Sequence, residues 1–131
     1  MPAVHGYAHV AITVTDLDRA VDFYTTLLGA PPVGRIQLEQ LDRQLFAVGG
    51  GQILGVTAYP DGDDRPFDPT VAGLDHIGLR CADRDEVLAW QRHVAEAGLG
   101  GDFQDVDFGS ALMVKDPDGN QIEFFAGPVP G

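Results

Sequence analysis

The chain has 131 residues, 44% hydrophobic and 21% charged, ordinary proportions for one globular domain that buries its own core. Twenty acids against eight bases give a formal net charge of −12, which argues against nucleic-acid binding by phosphate neutralisation and against docking on anionic membranes. A single cysteine, Cys81, allows no intrachain disulfide. No apolar run is long enough to span a bilayer and no basic-then-apolar start is visible, so a cytoplasmic location is expected.

Taken in chain order, Tyr7–Thr15 alternates as a strand. Ala8, Val10, Ile12 and Val14 share one face; His9, Ala11, Thr13 and Thr15 share the other. Asp16 is a natural N-cap for a helix over Leu17–Leu28, whose apolar residues recur at helical spacing. Gly29 supplies the left-handed exit. Shorter strands follow at Val33–Gln40, Arg43–Val48 and Gln52–Tyr59, broken by Leu41-Asp42 and by Gly49-Gly50-Gly51. A proline-bearing stretch over Tyr59–Ala72 reads as a linker.

The same order then returns. Gly73–Gln91 aligns with Gly6–Tyr24 at a constant offset of 67 residues: His76 falls on His9, Asp83 on Asp16 and Asp85 on Asp18. A strand over Leu74–Ala82 carries Ile77, Leu79 and Cys81 on one face and His76, Gly78 and Arg80 on the other. Asp83 caps a helix over Arg84–Ala97, with Gly98 beyond it. Strands follow at Phe103–Val106, Ser110–Lys115 and Gln121–Phe125. The Asp116–Asn120 segment predicts a hairpin turn, with Gly119 at a positive φ. Both halves read β-α-β-β-β, an α+β fold of two tandem modules. The expected organisation is one domain over 1–131, with modules at about 6–59 and 73–127 and a linker at 60–72.

Duplication puts His9 and His76 at equivalent places on the polar faces of equivalent strands. Glu123, in the apolar final strand, must be paired, bound to a cation, or exposed on the strand's polar side. Two imidazoles and a carboxylate are a recurrent ligand set for Fe, Mn, Zn, Ni or Co ions, leaving coordination positions open. The alternative is two strand histidines satisfied locally and a surface carboxylate. His5, near the terminus, and His93, on the second helix, are read as solvated, and Cys81 as a buried, inert thiol.

These residues resemble the vicinal oxygen chelate superfamily: glyoxalase I, bleomycin-resistance proteins, extradiol dioxygenases and fosfomycin-resistance thiol transferases. The matching stretches are His9-Val10-Ala11-Ile12-Thr13-Val14, Asp16-Leu17, Phe23-Tyr24, Leu27-Leu28-Gly29, Asp75-His76-Ile77 and Asp116-Pro117-Asp118-Gly119-Asn120 with Ile122-Glu123. The resemblance implies a U-shaped mixed-sheet cleft built from the paired modules. It also implies a divalent metal held by His9, His76 and Glu123, a small-molecule substrate that chelates it, and a homodimer that often shares its sites between chains. The implied activity is of lyase, isomerase, thiol-transferase or dioxygenase type. The other activity it implies is non-catalytic sequestration of a small molecule or antibiotic, as in bleomycin resistance. Glyoxalase I has a fourth ligand, a glutamate on the last strand of the first module; here that place falls at about Gly55, so a four-ligand glyoxalase I is not expected.

For substrate contacts, Ala11, Thr13, Gly78 and Phe125 share the pocket face with the ligands, and Phe46, Phe108 and Met113 are candidates for an apolar wall, with ordinary core packing as the alternative. Arg35, Arg80 and Lys115 are candidates for meeting an anion, and Glu39 and Tyr59 for moving a proton.

Overall fold

A computed structural model describes residues 1–128. It divides into two compact units, Met1–Arg65 and a second beginning at Pro66, each a four-stranded mixed sheet backed by one helix. The first unit runs β1 (His9–Thr13), α1 (Leu17–Leu28), β2 (Gly34–Gln37), β3 (Asp42–Ala47) and β4 (Ile53–Ala58). The second runs β5 (Ile77–Arg80), α2 (Arg84–Glu96), β6 (Asp102–Val106), β7 (Gly109–Lys115) and β8 (Gln121–Ala126). Sheet orders are β1-β4-β3-β2 and β5-β8-β7-β6, with the first and last strands of each unit parallel and the remaining pairs antiparallel. The parallel pair needs a crossover, which the helix supplies. This is the tandem βαβββ arrangement that the repeat predicts.

Both helices begin where their caps dictate. The Asp16 carboxylate accepts from the Arg19 amide and the Asp83 carboxylate from the Glu86 amide, each satisfying a donor that the first turn leaves free. Gly29 ends α1 at φ 74°. The second helix stops at Glu96, one residue before the expected end. Ala97 is its cap, Gly98 turns left-handed at φ 71°, and Gly98 and Leu99 donate back to the carbonyls of Ala95 and Val94.

Buried apolar residues of β3 and β4 face α1, and those of β7 and β8 face α2. In the first unit Ile12, Val14, Phe46, Leu54 and Val56 meet Ala20, Tyr24 and Leu27, and the Tyr24 and Phe46 rings lie 6.0 Å apart. In the second unit Cys81, Leu112, Val114, Ile122 and Phe124 meet Val87 and Val94, and Trp90 stacks on Phe124 at 4.3 Å. His93 is half-buried with its ring edge-on to Trp90 at 5.5 Å. It is therefore a packing residue, not the freely solvated one expected.

Asp42 corrects a second expectation. The reversal after β2 is Leu38–Leu41, closed by the Leu38 amide on the Leu41 carbonyl, and Asp42 is already the first residue of β3, opposite Gln37. Aspartate is unfavourable in strands, but the Arg35 guanidinium holds this one in a two-pronged ion pair, with Nε donating at 2.8 Å. The Asp116 turn is as expected. One Asp116 oxygen accepts from the amides of Asp118 and Asn120, the other from the Asn120 side chain, and Gly119 sits at φ 88°. This buried network sets where β8 begins and therefore where Glu123 stands.

Two outcomes follow from these contacts. Phe124→Ala should cost about 3–5 kcal/mol in urea unfolding and alter Trp90 fluorescence; a loss below 1 kcal/mol would contradict the packing described. Asp105 accepts from Arg84 and Ser110, and these bonds lower its pKa from 3.8 to about 2. A carboxylate depressed on folding stabilises the fold above its unfolded pKa and stops doing so as pH falls through its folded one. Asp105→Asn should therefore flatten part of the fall in melting temperature between about pH 4 and pH 2.

Candidate metal and substrate site

Side chains that do not face α1 or α2 form the opposite face of each sheet. In the second unit His76 stands immediately before β5, 41% exposed. Its Nδ1 lies 2.7 Å from an Asp75 carboxylate oxygen. That carboxylate accepts a hydrogen bond donated by Nδ1, and the other ring nitrogen, Nε2, is turned toward Glu123. Nε2 lies 3.9 Å from Glu123 Oε2. Glu123, its side chain 21% exposed, is flanked in register by Gly78 on β5 and Met113 on β7. Gly78 has no side chain to crowd the carboxylate: a Cβ there would come only within 3.8 Å of Glu123 Oε1. The Asp75 carbonyl accepts from Gln121 at 3.0 Å, which ties the Asp75-His76 segment to β8.

The donor set suits a divalent cation. Two donors each about 2.1 Å from one ion stand roughly 3.0–3.4 Å apart at ligand angles of 90–109°, so the imidazole and carboxylate need to close by less than 1 Å. The proton on Nδ1 held by a carboxylate is the second-sphere arrangement that orients a ligating imidazole. His9 is exposed on the corresponding face of the first unit, opposite Ile53 in the β1–β4 pairing. Among the described residues no three His, Cys, Asp or Glu side chains are gathered as a metal-binding group.

The other predicted residues separate. Met113 and Phe125 are half-buried on the Glu123 face, since β8 alternates and residues 121, 123 and 125 point together. Phe108, 65% exposed in the β6–β7 turn, has its ring 6.2 Å from Phe125. Arg80 is exposed on the same side of β5 as Gly78 and donates to the Gly127 carbonyl at 3.3 Å. Phe46 does not join them. It is 1% exposed and packs on Tyr24 in the core, because its register partner Leu54 points at α1. Arg35 is engaged by Asp42; Lys115, Glu39 and Tyr59 are exposed. Cys81 is buried, and burial, the largest effect, pushes its thiol pKa up, as expected of an inert thiol.

The sheet registers settle which position matches Glu123. Ala11 pairs with Gly55 in the first unit, and Gly78, its repeat counterpart, pairs with Glu123 in the second. Leu45 opposite Gly55 likewise matches Met113 opposite Glu123. Gly55 therefore occupies the counterpart of the carboxylate. The space above it holds a residue that sequence reasoning missed. A Cβ on Gly55 would lie 3.0 Å from Arg43 Cδ and 3.3 Å from the Ala11 Cβ. Arg43 lies across β4 and donates from Nε to the Thr57 hydroxyl at 2.8 Å. The available signal was a glycine inside a strand, which marks a close approach.

Comparison with known proteins agrees with this architecture. The chain is 27% identical over 125 residues to the trivalent organoarsenical cleaving enzyme of Bacillus sp. (strain MD1), covering 91% of this chain and 71% of that protein. It is 30% identical over 131 residues to catechol-2,3-dioxygenase of Bacillus subtilis (strain 168), covering 96% of this chain but only 44% of that protein. Among solved structures, a glyoxylase/bleomycin resistance protein/dioxygenase domain from Frankia sp. EAN1pec superposes with a TM-score of 0.86 at 26% identity, covering 96% of this chain and all of that one. The model of the Glyoxalase/Bleomycin resistance protein/Dioxygenase superfamily matches residues 6–124, and the chain belongs to that superfamily.

Proposed function

We propose that this protein is a metal-dependent enzyme that takes a small substrate with two adjacent oxygens, and that His9, His76 and Glu123 hold the metal. The observation that carries this reading is the Asp75–His76–Glu123 line. Asp75 holds Nδ1 at 2.7 Å from its carboxylate oxygen, and Nε2 lies 3.9 Å from a carboxylate oxygen of Glu123. A divalent cation bound there would supply Lewis-acid charge to the substrate's vicinal oxygens. The chain's own residues do the rest. Asp75 orients the imidazole, Gly78 leaves room beside Glu123, and Met113, Phe108 and Phe125 offer an apolar wall that would keep water from the substrate. Arg80 stands at the edge of that wall.

Two features narrow the type. Gly55 supplies no fourth carboxylate, which supports a three-ligand site over that of glyoxalase I. Trivalent arsenic is thiophilic, and the only thiol is the buried Cys81, so a substrate presenting oxygen is favoured over the organoarsenical named for one relative. Catechol, named for the other, has adjacent hydroxyls of the kind proposed. The Asp75 buttress also counts against sequestration, which needs no oriented imidazole. We further propose a cytoplasmic homodimer; no described helix is long and apolar enough to cross a membrane.

Elemental analysis of natively purified protein tests the ligand set. Wild type should carry a stoichiometric divalent metal, and His76→Ala and Glu123→Ala should lose it. Equal metal content in all three would remove the proposal. Asp75→Ala should keep the ligands but weaken metal affinity about 10- to 100-fold. The dimer has its own test. If sites are shared, co-expressed His9→Ala and Glu123→Ala chains form a heterodimer with one intact site and regain metal. If each chain holds its own site, the mixture stays empty.

A further inference from the structure

The chain has two and a half times as many acids as bases, yet one half-buried arginine faces no acid. Among the described residues no carboxylate pairs with Arg43 and its Nη groups make no hydrogen bond; its Nε is spent on Thr57. By contrast Arg35, Arg65 and Arg84 each hold an aspartate. A partly desolvated guanidinium without a counter-ion is costly unless something supplies one.

The placement of Arg43 is built rather than incidental. Its stem rests on Gly55, where any side chain would press on Arg43 Cδ at 3.0 Å. Ala11 beside Gly55 is small, and the hydroxyl of Thr57, a residue 1% exposed, anchors Nε. These residues and His9 share the face of the first sheet that points away from α1. His9 lies one side-chain row from Ala11, roughly 6.6 Å along the strand. With Nε engaged, the planar fork keeps its two Nη groups for a ligand, the geometry that takes a carboxylate or similar oxyanion in two parallel bonds.

We propose that Arg43 is a recognition residue of the first unit and that it takes an oxyanion, a carboxylate or a group of the same geometry. This goes beyond the functional reading above and does not rest on its metal. In the first module a cation stands at the counterpart of the place where the second module has Glu123. The duplicated fold thus gives one half to an anion and the other to a metal.

The test uses metal-free protein, so it does not depend on the ligand set. The Arg43 Nε–H resonance is followed by NMR while oxalate, or benzoate as a single-carboxylate probe, is added. Wild type should show a saturable shift, and the His76→Ala/Glu123→Ala double variant should show the same one. Arg43→Met should weaken binding at least about tenfold, followed through backbone amides of β1 and β4. Arg43→Lys, which keeps the charge without the fork, should weaken it less. Thr57→Val, which frees Nε, should lie between wild type and Arg43→Met. Should Arg43→Met not fold, the lysine and valine variants still order the series. A linear, unsaturating shift in wild type would overturn the proposal, as would identical titrations of wild type and Arg43→Lys. Loss of metal in His76→Ala with retained oxalate binding would separate this inference from the metal reading.

Discussion

Each half of the molecule depends on one pairing, the parallel ladder between its first and last strands. β1 and β4 pair as Ala11 with Gly55, and β5 and β8 pair as Gly78 with Glu123. A slip of one residue would send every side chain to the opposite face, putting Glu123 into the core and Phe124 into water. The register holds because Ile12, Val14, Leu54 and Val56 in one unit, and Cys81, Ile122 and Phe124 in the other, must face their helices. The opposite face of each sheet is what remains once that requirement is met. Core packing therefore chooses the side on which His9, His76, Glu123 and Arg43 stand.

Duplication then gives two such faces with different chemistry. The histidines are retained in both copies, while the last strands have diverged to glycine and glutamate. The divergence extends to the neighbours. Beside Gly55, Arg43 reaches across β4 to Thr57; beside Glu123, the matching strand offers Met113 and Ala111, too apolar or too short to do so. One face gains a cation and the other keeps a carboxylate near a buttressed imidazole. This half-buried arginine holds no aspartate, whereas the exposed Arg35, Arg65 and Arg84 each do.

Much of this was legible in the sequence, for particular reasons. The first helix matched end to end because Asp16 and Gly29 punctuate it. The strand face bearing His9 is legible because alternation has period two; β5 is shorter than its alternation predicts, Ile77–Arg80, and His76 stands just before it. Asp42 reads as a turn residue in sequence because strand propensity does not contain the ion pair with Arg35, seven residues away. Phe46 reads equally as wall or core because the face of β3 depends on its register with β4, a long-range fact. The packing of His93 depends on where Trp90 turns. The bond from Asp75 to His76 needs backbone geometry. Arg43 carries no sequence signal because its placement rests on Gly55, a residue with no side chain.

The proposed ligand set is His76 and Glu123 with His9. It can be checked by X-ray diffraction from crystals of natively purified protein, collected on both sides of the absorption edge of the metal found in it. An anomalous peak about 2.0–2.2 Å from His76 Nε2, from a Glu123 oxygen and from a His9 ring nitrogen is expected. No peak, with His76 Nε2 hydrogen-bonded directly to Glu123, would overturn the proposal.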